Sequence, residues 1–346
     1  MDPSTEAPTE ARPDGGNITV DAARDVGQPS MPYQKTNINT CLQYDSEDSG
    51  FEDASVLTQS IAESVFQYKV ENGRRYHAFR EGAYFMPNDD AEQDRMDMQH
   101  RAMFLAAGGE LLYAPVKDPR RIIDLGTGTG IWAIEISDKF PNAQVVGVDL
   151  SPIQPNFVPI NVKFEVDDVE DDWTWPENHF DVIYSQFMLS GSISNIRKYF
   201  EQAFKHCAPG GYFELHDLFT NISSDHRPIA DGSAVKEWCD LIREGIKGFN
   251  RTLELHFDEL AEMMREVGFV DVVHRPFKIP IGRWPADPTM KEAGGLQQVA
   301  MLEGVESLSL AVFTRCLHWQ PEEVEVFLAK VRQDFLARKN YTYWPW

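Results

Sequence analysis

The sequence is short of positive charge: 32 lysines and arginines stand against 55 aspartates and glutamates, a formal net charge of −23. A surface of that sign repels nucleic-acid phosphates and anionic membranes, so direct binding to either is excluded from the expected functions. Cysteine is scarce too. Cys41, Cys207, Cys239 and Cys316 stand far apart, with no CxxC or Cys/His spacing; neither a zinc site nor a disulfide framework is expected, and no metal. No apolar run reaches the roughly 18 residues of a membrane span. The opening MDPSTEAPTEARPDGG has neither the basic start nor the apolar stretch of a secretory signal. The basic pairs Arg74-Arg75 and Arg120-Arg121 are too short for a nuclear-localisation cluster. These absences predict a soluble chain of the cytoplasm or nucleus that is not secreted.

What is present falls into two parts. Residues 1–55 are rich in Pro, Gly, Ser, Thr and acids and are expected to be a disordered acidic tail, because they cannot bury enough apolar surface to offset chain ordering. Residues 56–346 read as one folded domain, with a core over 118–280 and a helical cap over 281–346. In ASVLTQSIAESVFQYKVENGRRYH, Leu57, Ile61, Val65 and Tyr68 share one helical face and Gly73 ends the run. Asn88 or Asp89 can cap a second helix whose Met96, Gln99, Met103 and Ala107 follow helical spacing.

The rhythm then changes. RRIIDLG, AQVVGVDL, VKFEVDD, FDVIYSQ and GGYFELHDL read as five strands, with the helices GIWAIEISDKFP and NIRKYFEQAFKHCAPGG between them. FDELAEMMREVGF is a further helix, closed by Gly268, that feeds the strand-like VDVVHRPFKI. Strands alternating with helices predict an α/β fold: a doubly wound parallel sheet with helices on both faces and ligands at the carboxyl ends of the strands.

IIDLGTGTGIW, residues 122 to 132, is the loop that such a sheet would aim at a ligand. It lacks the lysine of a triphosphate loop, and a dinucleotide fingerprint started at Gly126 would need glycine where Ile131 stands. Without Cβ atoms at Gly126, Gly128 and Gly130, the backbone can turn tightly and approach a ligand. Asp124, just inside the strand end, suits an ammonium group. That combination points to S-adenosylmethionine, a cationic amino-acid end joined to an adenosine. Asp149 ends the next strand, where a carboxylate can take both ribose hydroxyls. Asp168 can accept the adenine amino group, the Val169 N–H can donate to the ring, and Leu150 can lie against its face. Ser185 and Gln186 would sit beside the methyl. Either acid alone would read as an ordinary strand-end cap.

This set resembles the class I S-adenosylmethionine-dependent methyltransferases, over residues about 60 to 346. NGRRYHAFREGAYFMPNDDAEQDRMDMQH, DLGTGTGIWAIEISDKFPNAQVVGVDLSPIQP, WTWPENHFDVIYSQFMLSGSISN, IPIGRWPAD, and PEEVEVFLAKVRQDF followed by YWP are similar to the fungal LaeA-like methyltransferase group. The resemblance implies a Rossmann-like methyltransferase sheet with additional N- and C-terminal helices. It also implies methyl transfer tied to secondary metabolites or to regulators of their production. In that family YWP opens an apolar strand that completes the sheet antiparallel to the rest; here the sequence stops at Trp346, so a truncated strand is expected.

Transfer from a sulfonium needs a base only where the acceptor must first lose a proton. His216 in FELHDL is the best-placed candidate, against the alternative of a hydrogen-bonded strand-end histidine; Asp217 is the weaker candidate. Tyr76, His77 and Tyr84 either fold over the cofactor as a lid or pack against helices. Trp132 anchors its helix to the sheet, and Trp173 and Trp175 belong to a surface loop. A small-molecule acceptor, methylated on oxygen or nitrogen, is the first reading. A LaeA-like regulator acting on or through protein partners is the second. An oxidoreductase is disfavoured by Ile131.

Overall fold

The computed structural model describes residues 68–80, 84–218, 221–226, 228–337 and 341–346. The expected tail with its Cys41, and the helical face of Leu57, Ile61 and Val65, lie outside the described residues. Its first elements correct the helix expected to continue to Gly73. Strands β1 (Lys69–Glu71) and β2 (Arg74–Tyr76) form an antiparallel hairpin with Glu71 opposite Arg74. The two turn residues, Asn72 and Gly73, have φ of +50° and +78°, the left-handed pair that a type I′ turn requires and Asn-Gly supplies with least strain. Helix α1 (Asp90–Ala106) follows, capped by the Asp89 side chain, which accepts the Glu92 N–H. Arg74 donates to both oxygens of that cap, at 2.7 and 2.9 Å, and so fastens the hairpin to the helix start.

The sheet is built from β3 (Arg121–Leu125), helix α2 (Ile131–Lys139), β4 (Gln144–Asp149), β5 (Val162–Val166), β6 (Phe180–Gln186), helix α3 (Ile196–His206) and β7 (Cys207–His216). The order is β5-β4-β3-β6-β7, and every pairing is parallel. The chain winds outward from β3 to β5, then crosses to β6 on the other side of β3. That reversal opens a crevice at the carboxyl ends of β3 and β6. Alternation along β3 sorts its side chains: Ile122 joins Trp132, Ile136 and Val182 on one face, while Ile123 and Leu125 join Ile183 and Phe200 on the other. All five strands expected from the sequence are present, in the α/β class expected.

The rest of the chain comprises α4 (Ala234–Gly245), α5 (Phe257–Val267), β8 (Lys278–Pro280), α6 (Pro288–Ala311), α7 (Pro321–Leu336) and β9 (Tyr343–Pro345). A third core cluster gathers Met103 of α1, Trp238 and Ile242 of α4, Val305 of α6, Val331 of α7 and Trp344 of β9. The cap therefore draws on α1 and α4 as well as on residues 281–346. VDVVHRPFKI is not one strand. Asp271 sits at φ +53° and breaks the extended run, leaving Val270 and Val273 exposed. Only Lys278–Pro280 pairs, antiparallel to β9, with Ile279 opposite Trp344. The short antiparallel strand expected at YWP is thus three residues long, but it forms a separate two-stranded sheet and does not complete the parallel one. Among the described residues no helix is long and apolar enough to cross a membrane.

Candidate active site

A cavity of about 270 Å³ lies where the cap meets the carboxyl ends of the strands. Of the residues named from the sequence, Asp124, Gly126, Gly128, Asp149, Leu150, Asp168, Val169 and Gln186 line it; Gly130 and His216 do not.

The loop after β3 owes its shape to its glycines. Gly126, Gly128 and Gly130 have φ of +73°, +57° and +81°. The N–H groups of Gly126 and Thr127 both donate to the Val148 carbonyl, at 2.8 and 2.9 Å, which ties the loop to β4. Gly130 starts α2, and a Cβ there would lie 2.4 Å from the Phe164 ring. It shapes the loop from behind. Gly130→Ala should therefore cost about 2–4 kcal/mol, combining left-handed strain with overpacking. Chemical denaturation measures this, and an unchanged midpoint would mean that the loop runs differently.

Two acids give the floor of the cavity its charge. The Asp149 carboxylate accepts the Gly128 N–H at 2.9 Å on one oxygen and the Ser151 N–H at 2.8 Å on the other. Each oxygen keeps a lone pair for a ligand. Burial pushes this carboxyl above its usual range, against those backbone bonds that favour the ionised form. Asp124 is buried and accepts the Thr127 hydroxyl at 2.6 Å. Burial pushes its carboxyl up to about 7; the Thr127 bond opposes the rise and the neighbouring Asp149 charge adds to it. One buried and one half-buried acid in one cavity disfavour a further anion and favour a cation. Asp168, half-buried, accepts the Glu170 N–H at 3.0 Å.

Other expected residues lie elsewhere. Ser185 is fully buried, accepts the Tyr199 hydroxyl at 2.8 Å and does not line the cavity. Gln186 does line it, with its amide nitrogen 3.6 Å from the Met103 sulfur. His216 has one ring nitrogen 3.1 Å from the Tyr184 hydroxyl and the other 2.8 Å from Glu214 Oε1. Both of its ring nitrogens are thus engaged, as in the alternative reading of a hydrogen-bonded strand-end histidine, although Tyr184 itself lines the cavity. Asp217 accepts the N–H groups of Leu189, Ser190 and Leu218 and so fixes the turn after β6. Burial, against these bonds, pushes its carboxyl up to about 6. Of the lid candidates only Tyr84 lines the cavity. Tyr76 is buried under Arg315, and His77 is tied to the Phe79 and Tyr84 carbonyls. Trp132 anchors α2 as expected: it stacks on Tyr184 at 3.6 Å, its indole N–H bonds the Leu111 carbonyl, and its ring also reaches the cavity wall. Trp173 corrects the surface-loop expectation; it is buried against Tyr199 and donates to the Val169 carbonyl at 3.0 Å.

Of a polar row on α1 the sequence reading named only Gln99. Glu92, Arg95, Gln99 and His100 are all buried and line the cavity. Arg95 Nε and Nη2 both bond Glu92 Oε1, at 2.9 and 2.8 Å, while Nη1 bonds Gln99. Its stem crosses α6 at Gly304, where a Cβ would be 2.7 Å from Arg95 Cδ. The 92-95-99 spacing carries the signal, since it repeats along one helical face. Met96 and Met103 on the same face had marked it as apolar. Met96 reaches the space above Gly128, and Asp97 accepts the Thr129 hydroxyl at 2.7 Å, so α1 lies against the glycine loop.

Residues 98–274 match a methyltransferase domain family. Methyltransferase pytC of Aspergillus terreus is 39% identical over 278 residues, covering 80% of this chain and 85% of that protein. The protein-methionine methyltransferase laeA of Emericella nidulans is 35% identical over 279 residues, covering 80% of this chain and 74% of the relative. The secondary metabolism regulator laeA of Aspergillus flavus is 34% identical over 275 residues, covering 79% and 74%.

Proposed function

The chain belongs to the methyltransferase domain family, and from that premise we propose that it methylates oxygen or nitrogen of a small molecule in fungal secondary metabolism. Its methyl donor is S-adenosylmethionine, which when bound supplies an electrophilic methyl group on a sulfonium. The residues present fit that donor. A left-handed glycine loop and a carboxylate with free lone pairs face one cavity, joined by the Gly128–Asp149 hydrogen bond. That joined pair is the observation that carries the reading.

In it, Asp149 holds the ribose hydroxyls, Asp168 and Val169 hold the adenine edge, and Leu150 lies on its face. Gly126 and Gly128 bring the backbone close to the amino-acid end, whose ammonium group Asp124 faces. The surplus of carboxylates suits the donor's positive charge, and the Tyr84 face adds roughly 0.5–2 kcal/mol if it meets the sulfonium. The remaining task is to position the acceptor and exclude water. Trp238, Ile242, Leu253 and Leu308 give the cap side of the cavity an apolar wall suited to it. His216 carries no proton transfer in this reading, because its ring nitrogens are committed elsewhere.

The regulatory reading draws on the identity to laeA of Emericella nidulans, itself named a protein-methionine methyltransferase. One experiment separates the two. The full chain is titrated with S-adenosylmethionine, with NADH as control, and then incubated with methyl-labelled donor and separate small-molecule and protein extracts of a filamentous fungus. We expect micromolar binding of the donor, none of NADH, and label in the small-molecule fraction. Label confined to protein would replace this proposal with the regulatory one, and no donor binding would end both.

A further inference from the structure

Buried polar atoms almost always find a hydrogen-bond partner, so an orphan on a cavity-lining residue is informative. Two such atoms belong to residues lining this one: Glu92 Oε2 on α1 and Trp344 Nε1 on β9. Glu92 is 1% exposed and Trp344 6%. They are complementary, one an acceptor and the other a donor. Neither is needed for the donor molecule, whose groups are matched by the glycine loop, Asp124, Asp149, Asp168 and Val169 in the function proposed above, on which this inference rests.

We propose that Glu92 and Trp344 are the polar ends of the acceptor subsite, which takes an uncharged, ring-sized molecule bearing both a hydroxyl and a carbonyl. The hydroxyl donates to Glu92 Oε2 and the carbonyl accepts from Trp344 Nε1. Charge selects the class. Arg95 places two N–H groups on Glu92 Oε1 and none on Oε2, so the carboxylate is already neutralised while one oxygen stays open. An ammonium would add a net charge to an interior that is balanced there, and a second carboxylate would meet Glu92 directly. A neutral hydroxyl completes the set. The same cavity is also lined by the aromatic and aliphatic side chains of Trp238, Ile242, Leu253 and Leu308, which favours a flat apolar body.

The test uses the full chain loaded with S-adenosylhomocysteine and three probes read by calorimetry or ligand-observed NMR. 4-Hydroxyacetophenone carries both groups, 4-methylacetophenone lacks the hydroxyl and 4-ethylphenol lacks the carbonyl. The wild type should bind the first at least about tenfold more tightly than either of the others, because leaving a buried partner unmatched is costly. Trp344→Phe should erase the preference for the carbonyl and keep that for the hydroxyl. The paired change Glu92→Leu with Arg95→Met, which leaves no unpaired charge behind, should do the reverse. In both variants affinity for S-adenosylhomocysteine should stay within about twofold of wild type.

Equal binding of the three probes by the wild type overturns the proposal, and needs no variant to fold. So does a preference that survives its variant. A tenfold or greater loss of S-adenosylhomocysteine affinity in the paired variant would assign Glu92 to the donor instead. If the wild type fails to bind S-adenosylhomocysteine, the methyltransferase reading falls, while probe preference remains readable on the free chain.

Discussion

Replacing Asp149 with alanine should weaken S-adenosylmethionine binding by at least about a hundredfold, since two hydrogen bonds to a charged group are worth on the order of 3 kcal/mol or more together. The same change removes the acceptor for Gly128 N–H and Ser151 N–H, so it loosens the loop that faces the other end of the ligand. Stability should move little by comparison, because burial already holds this carboxyl above its usual range and its removal relieves that cost. Calorimetric titration paired with circular dichroism separates the two effects. An affinity within about fivefold of wild type, in a folded variant, would mean that the ligand binds elsewhere.

Asp124→Asn should raise stability at neutral and alkaline pH. The folded-state carboxyl lies at about 7, above its ordinary 3.8, so folding favours the protonated form. Its stabilising contribution is therefore complete below the unfolded value and is lost as pH rises through about 7. Asparagine, which stays neutral, removes that loss. At ~1.4 kcal/mol per pH unit between the two values, the variant's gain over wild type from about pH 4 to about pH 8 has a ceiling on the order of 4 kcal/mol. The raised Asp217 is common to both proteins and cancels in the difference. The function proposed for this acid predicts a cost on the other side: S-adenosylmethionine should bind the asparagine variant more weakly, and bind wild type more weakly as pH falls below about 7. Parallel stability curves for the two proteins from acid to alkaline pH would show that Asp124 is not held neutral by burial.

The parallel sheet was readable because each strand is a short apolar run bounded by Gly, Pro or an acid, and because helices of clear period lie between them. The cavity-lining acids were readable for a related reason. The sheet fixes where its strands end, and Asp124, Asp149 and Asp168 lie within two residues of the ends of β3, β4 and β5. Where a side chain points beyond a strand end was not readable. Ser185 and Gln186 are neighbours, and the strand's alternation sends the first to Tyr199 and the second to the cavity. His216 follows the same rule, held by Tyr184 and Glu214 from adjoining strand positions. The hairpin at 69–76 was misread although Asn72-Gly73 is a strong turn signal, because the helical spacing that ended at Tyr68 was extended across it. The polar row of α1 was hidden for a different reason: buried charge is recognisable only once its partner is known, and Arg95 finds Glu92 and Gln99 on its own helix only because Gly304 of α6 makes room for its stem.

The cavity wall runs in sequence from Tyr84 to Trp344, with the strand ends between them. A chain folding by its local contacts can assemble the β3-to-β6 crevice early, since neighbouring strands and helices supply it. Closing the other wall means docking α1 against α6 and threading β9 back to β8, contacts of long sequence separation whose loop-closure entropy must be met before they return anything. Binding competence should therefore lag behind secondary structure during refolding. In stopped-flow experiments, the far-ultraviolet signal would recover in an earlier phase than donor binding.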